Sequence, residues 1–246
     1  HECITRFPLR YSDFNIGKHV RTDEESQRYI RDWVGTAKGD WCQYVAKDVD
    51  KIIAGLYEYW ACYQPNFPEK TVFCPFPIIP SHTTYHPFDG KLHLFIGINK
   101  TRNRYKGTDI MLKAAQKIVE NYPEKADLQV AESVPFEDYV KMMGKSDVIL
   151  DQLYSYTPSM NPLEAMSQGL ICVGGGEPEN YDIINEHELR PIINVELNES
   201  SVYQALYELI LHPERINTLK RESMAYIKRH HDYINVAQKY IAFYEQ

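Results

Sequence analysis

The feature that most restricts what this chain can fold into is the alternation of apolar runs and helical periods after residue 90. Leu92-His93-Leu94-Phe95-Ile96-Gly97 reads as a buried strand. Residues 109–121 follow, with Ile110, Met111, Ala114, Ala115, Ile118 and Val119 spaced along one helical face. The rhythm repeats as strand 127–131, helix 136–143, strand 147–150, a short helix 162–168 ended by Gly169, strand 170–173, strand 191–195 and helix 200–211. Strands separated by helices imply a parallel, doubly wound α/β sheet. From Pro213 to Gln246 the pattern is helical throughout. Ligands of such sheets lie beyond the carboxyl ends of the strands, at the switch point. The loops after Ile96, Ala131, Leu150 and Val173 are therefore the candidate site segments.

Composition changes near residue 80. Trp33, Trp41 and Trp60, and four of the five cysteines, lie before it, and Pro75, Pro77, Pro80 and Pro87 cluster between Phe73 and Gly90. That density suits a linker. The expected organisation is a first unit over 1–80, a linker over 81–90, a Rossmann-like domain over 91–225 and a C-terminal helix over 226–246. Within the first unit a helix is expected over 23–38, stopped by Gly39, then strand 51–54, a helix through Tyr57, Trp60 and Ala61, and strand 71–74.

The cysteines (Cys3, Cys42, Cys62, Cys74 and Cys172) are odd in number and form no CxxC pair. A disulfide framework or zinc ribbon is thus disfavoured and a reducing cytoplasm fits. With 27 basic and 34 acidic residues, the balance is 27 − 34 = −7, which argues against a nucleic-acid coat. No stretch approaches the roughly 18 apolar residues of a membrane span. The chain begins at His1 with nothing resembling a signal peptide, and is expected to be an N-terminally trimmed piece of a longer protein.

Three loops could carry chemistry. Residues 97–107 hold Lys100, Arg102, Arg104 and Lys106 between a strand and a helix. Cations at a helix N-terminus suit a diphosphate, although the same loop also reads as a solvated basic turn. Ser159-Met160-Asn161-Pro162-Leu163-Glu164 would open a short helix whose free N–H groups face the same crevice. Glu164 in its first turn could accept from sugar hydroxyls or simply cap the helix. Gly174-Gly175-Gly176 would let backbone approach a ligand, a weak signal alone. Gly144-Lys145-Ser146 mimics the end of a P-loop, but Tyr139 stands where that pattern needs glycine. His230-His231 point in different directions on a helix, so they read as hydrogen-bonded rather than metal-binding.

Taken in order, Phe95-Ile96-Gly97, Lys106-Gly107-Thr108-Asp109, Ser146-Asp147-Val148-Ile149-Leu150-Asp151, Leu163-Glu164-Ala165-Met166-Ser167-Gln168-Gly169 and Gly175-Gly176-Glu177-Pro178-Glu179 resemble the nucleotide-sugar-binding half of retaining glycosyltransferases of the GT-B fold, family 4 type. The tail, with His212-Pro213-Glu214-Arg215 and Tyr240-Ile241-Ala242-Phe243-Tyr244, is similar to the family's end, where the last helix crosses back to the first domain. The resemblance implies transfer of a sugar from a nucleoside diphosphate sugar, UDP-linked by preference, to a glycan or lipid-linked acceptor with retention, in cell-surface polysaccharide synthesis. It implies catalytic roles for Lys106, for Arg102 or Arg104, for Glu164 as the ribose partner, and for His1, because His1-Glu2-Cys3-Ile4-Thr5-Arg6 is similar to a family stretch approaching the active site. It implies donor contacts at Gly97, Lys100, the backbone of Ser159, Met160 and Asn161, and Val134-Pro135-Phe136 near the base. No metal or other cofactor and no nucleic-acid partner is implied. A cytoplasmic location is implied, with room for peripheral association at the inner membrane face, although nothing basic or amphipathic demands it. Two positions depart from the family: Tyr156 stands eight residues before Glu164, where a second glutamate is usual, and Ile98 follows Gly97, where arginine is usual. Tyr156 motivates one alternative, a non-catalytic nucleotide-sugar-binding module; an epimerase of the same fold is a second.

Overall fold

The computed structural model of the protein describes residues 36–79 and 85–245. The chain divides into two compact units between Phe76 and Pro77. In the first, helix α1 (Ala37–Asp48) precedes strand β1 (Ile52–Ala54), helix α2 (Tyr57–Tyr63) and strand β2 (Thr71–Phe73). The two strands pair in parallel, Ile52 opposite Thr71. Gly39 does not stop a helix here. Thr36 caps α1 by accepting from the Gly39 N–H, so the glycine lies in the first turn of a helix that runs on. The part of the expected helix before residue 36 lies outside the described residues.

The second unit is built on five parallel strands: β3 (Leu92–Ile98), β4 (Ala126–Glu132), β5 (Val148–Leu150), β6 (Ile171–Gly174) and β7 (Ile193–Asn194). Their order is β4-β3-β5-β6-β7. Between them run α3 (Asn103–Lys106), α4 (Thr108–Asn121), α5 (Phe136–Met143), α6 (Met160–Ser167) and α7 (Pro178–Asp182). Then follow α8 (Glu199–Leu211), a 3-10 turn at Pro213–Arg215, α9 (Ile216–His230) and α10 (Tyr233–Tyr244).

Strand β3 is apolar because both its faces are covered. Leu92, Leu94 and Ile96 join Met111, Ala114, Ala115 and Ile118 of α4 in one core cluster, and Phe95 meets the ring of Tyr139 edge-on. Helix α4 packs with α8, and α9 with α6 and β6.

Three expectations change. Helix α6 begins at Met160, two residues before Pro162; the proline still falls within the first turn, where its missing N–H removes no helical bond. The strand expected over 191–195 shrinks to Ile193–Asn194, the only residues in register with the end of β6. The helical tail breaks at His231–Asp232. There Ile78 donates to the His231 carbonyl and accepts from the Tyr233 N–H, and the Asp232 side chain caps α10. Among the described residues no helix is long and apolar enough to cross a membrane. Cys74 and Cys172 are buried free thiols.

One electrostatic staple holds the loop after α7 to α9. Glu186, buried, accepts from the N–H groups of Glu188 and Leu189, from Arg229 at 2.9 Å and from His230 at 2.6 Å. Burial alone would raise this carboxyl, but His230, the two N–H groups and Arg229 hold it down at about 2. A carboxyl depressed on folding contributes stability that is complete above its unfolded value of about 4.3 and is lost as pH falls toward the folded value. Urea unfolding followed from pH 5 to pH 2 should therefore show falling stability across that window. Glu186→Gln should be less stable at neutral pH and should lose less across the same window.

Candidate active site at the strand switch point

Strand order reverses between β3 and β5, because the connection from β3 leads to β4 on one side and the next leads to β5 on the other. A cavity of about 380 Å³ opens beside the carboxyl end of β3, within the size range of small-molecule sites. Its lining comes from the end of β3 and the residue after it (Gly97, Ile98, Asn99), Lys106 of α3, the end of β4 and the loop beyond (Ala131, Ser133, Val134), Tyr139 of α5 and Asn161 of α6.

Lys106 reaches this cavity because its loop is stitched to the chain beyond β5. The Leu153 N–H donates to the Lys106 carbonyl at 2.8 Å. Gly107 then turns the chain with φ +75°, and a Cβ there would lie 2.7 Å from that of Leu153, so only glycine fits both demands. Lys106 makes no ion pair among the described residues.

The start of α6 is arranged differently from expectation. Ser159 occupies the N-cap position, yet its hydroxyl does not cap the helix; it accepts from Gln152 Nε2 at 3.0 Å. Asp151, directly after β5, is buried. Burial pushes the Asp151 carboxyl up, against the pull of Lys106 and of the N–H groups of Gln152 and Ser159. Gln152 thus holds the side chain of the residue before α6. The first-turn N–H groups are left without the side-chain cap that a serine there normally supplies.

The expected site residues are only partly brought together. Gly97, Lys106, Val134 and Asn161 share the cavity. Lys100 pairs with Glu132 at 3.5 Å. Arg102 and Arg104 are exposed and are not among the lining residues. Pro135 is exposed beside Val134, and Phe136 is the first residue of α5. Met160 is 47% exposed. Glu164 is the fifth residue of α6, beyond the first turn expected for it, because the helix begins at Met160; it is therefore no capping carboxylate, and it accepts from Gln168 at 3.2 Å. His1 lies outside the described residues. Tyr156 is fully buried.

The glycines after β6 approach the protein's own backbone. A Cβ on Gly175 would lie 1.8 Å from the Ser155 carbonyl oxygen. Gly144 follows the last residue of α5 and the Ser146 hydroxyl donates to Met142, which is a helix C-terminus and not a phosphate loop. His230 is engaged by Glu186, and His231 packs on Tyr226. Among the described residues no group of three or more His, Cys, Asp or Glu could hold a metal ion.

Sequence reasoning missed Tyr139, whose ring is indistinguishable in the pattern from a core aromatic. It also missed Ser133, which lines the cavity with φ 54°, a left-handed conformation costly for a side-chain-bearing residue.

No protein-family model matches the chain, and no curated protein matches it in sequence. Solved structures do match it in shape. HepE of Anabaena, solved with UDP, superposes with a TM-score of 0.61 at 12% identity over 82% of this chain and 65% of its own. TarM of S. aureus, solved with UDP and alpha-GlcNAc-glycerol, gives 0.66 at 10% over 93% of this chain and 49% of its own. The pneumococcal O-GlcNAc transferase GtfA, solved with UDP and GlcNAc, gives 0.56 at 16% over 85% and 47%. The fold is GT-B-like. The chain spans about two thirds of the length of HepE and about half of the other two.

Proposed function

We propose that the chain carries the donor-binding half of a glycosyltransferase that takes its sugar from a nucleoside diphosphate, with UDP favoured, and delivers it to a glycan or lipid-linked acceptor. The observation that carries this reading is the pairing of a lysine free of ion pairs among the described residues with an uncapped helix start at one switch-point cavity. A diphosphate is the ligand for which such a pairing is suited. That HepE, TarM and GtfA were each solved with UDP supports the choice.

In the proposed reaction the bond from the anomeric carbon to the phosphate oxygen breaks, and the acceptor hydroxyl oxygen bonds that carbon from the same face. The acceptor proton passes to the departing diphosphate. Lys106 and the α6 N–H groups stabilise the charge that gathers there, so no metal is required. Glu164 would reach the ribose once released from Gln168, and Arg102 or Arg104 would swing in from the exposed loop. Proton NMR of the product, made by the full-length protein from a UDP-α-sugar, tests the reading. An α-linked product is expected, and a β-linked product would contradict retention.

One observation favours a second reading. Tyr156, standing where a carboxylate is usual, is sealed in the core. Full-length protein that binds donor yet never turns over would support a non-catalytic nucleotide-sugar module.

A further inference from the structure

We infer that the Tyr139 hydroxyl donates a hydrogen bond directly to the diphosphate of the bound nucleotide, as an uncharged partner of Lys106. This rests on the nucleotide-sugar reading above.

Tyr139 belongs to α5, yet it leans across the end of β3. Its ring centroid lies 5.0 Å from that of Phe95 at an interplanar angle of 76°. Its hydroxyl lies 2.6 Å from where a Cβ on Gly97 would stand. Gly97 therefore leaves the space that this hydroxyl occupies, and any side chain there would drive it out of the cavity.

The direction of the phenol proton follows from its neighbour. The Asn161 side-chain amide donates to the Tyr139 oxygen. A phenol has one proton to donate, and with its oxygen already accepting, that proton must find a separate acceptor. Both residues line the cavity, and a ligand oxygen there completes the pair. Lys106, a pure donor, cannot take the proton. Burial, more than any neighbour, pushes the Tyr139 hydroxyl up to about 12, with the Asp151 charge adding to it and the Asn161 bond opposing it. The group thus stays protonated at neutral pH and remains a donor.

Position selects the phosphates over the base. The hydroxyl sits between Gly97 at the end of β3 and Asn161 in the first turn of α6, the side of the cavity served by the helix start. Val134, assigned to the base by resemblance, comes with Ser133 from the loop after β4 on the other side. A hydrogen bond to a charged group is worth more than one to a neutral group, so loss of the donor should show in affinity.

The test is calorimetric titration of UDP and of uridine into the chain, its Tyr139→Phe variant and its Asn161→Ala variant, with the melting temperature of each measured alongside. Phenylalanine keeps the ring against Phe95. Tyr139→Phe is expected to weaken UDP about tenfold and to leave uridine and the melting temperature unchanged. Asn161→Ala, which leaves the donor but frees its orientation, should weaken UDP less. UDP binding unaffected in Tyr139→Phe, or UDP and uridine weakened in parallel, would overturn the inference. A loss in Asn161→Ala as large as that in Tyr139→Phe would overturn it too, by moving the contact to Asn161. A wild-type chain that binds UDP no better than uridine would overturn the donor-site reading and this inference with it.

Discussion

Replacing Lys220 by methionine is expected to cost about 3–5 kcal/mol of stability and to lower the melting temperature by roughly 10 °C. Lys220 lies in α9 and is 2% exposed, and its Nζ donates to Asp147 Oδ1 at 2.6 Å. The other carboxylate oxygen accepts from the His93 N–H at 3.0 Å. Asp147 also exchanges backbone bonds with both neighbouring strands: its N–H donates to the His93 carbonyl, and its carbonyl accepts from the Ile171 N–H. The Lys220 Nζ stands 5.7 Å from the centre of the Tyr85 ring, a cation–π contact that adds to the clasp. Methionine fills much of the same volume but leaves a buried carboxylate without its cation. Pairing the change with Asp147→Asn removes that charge while keeping an acceptor for His93, so the double variant should recover part of the loss. Thermal unfolding of the two variants decides the matter: a loss under about 1 kcal/mol in the single variant, or no recovery in the double, would show that the pair does not clasp α9 to the sheet.

Local periodicity reveals the strands and helices that a packed face defines. Leu92–Ile98 and Thr108–Asn121 stand out because their apolar spacing matches burial on both faces of a strand and on one face of a helix. Lys106 was legible for a related reason. A cation between a strand and a helix in a parallel sheet is carried to the carboxyl edge by topology alone.

What was not legible depends on contacts between distant segments. Ser159 stands where a helix cap should be, and only the fold shows that Gln152 claims its hydroxyl. Gly175 marks a close approach, but the backbone it meets is that of Ser155 and not a ligand. Tyr139 and Asn161 lie 22 residues apart and belong to different helices. Nothing in the pattern of either helix signals that their side chains meet over Gly97. The end of α6 was easier to read than its start, because Gly169 takes a left-handed φ of 88° just beyond it, whereas Pro162 lies two residues inside the true N-terminus.

In the proposed function the switch-point cavity binds a nucleoside diphosphate through Lys106. This lysine lines the cavity, and its carbonyl is anchored by Leu153, so shortening its side chain should remove the charge without disturbing the loop. A charge-assisted bond to phosphate is worth about 1.5–3 kcal/mol, so Lys106→Ala should weaken the nucleotide at least tenfold. The loss should shrink at high salt, since a partly exposed cation is screened. The most direct measurement is calorimetric titration of the chain with UDP, GDP and ADP, beside Lys106→Ala at matched stability. Saturable binding of one nucleotide, UDP foremost, weakened at least tenfold in the variant, is the expected result. Equal binding by the two proteins, or no binding of any of the three, would contradict it.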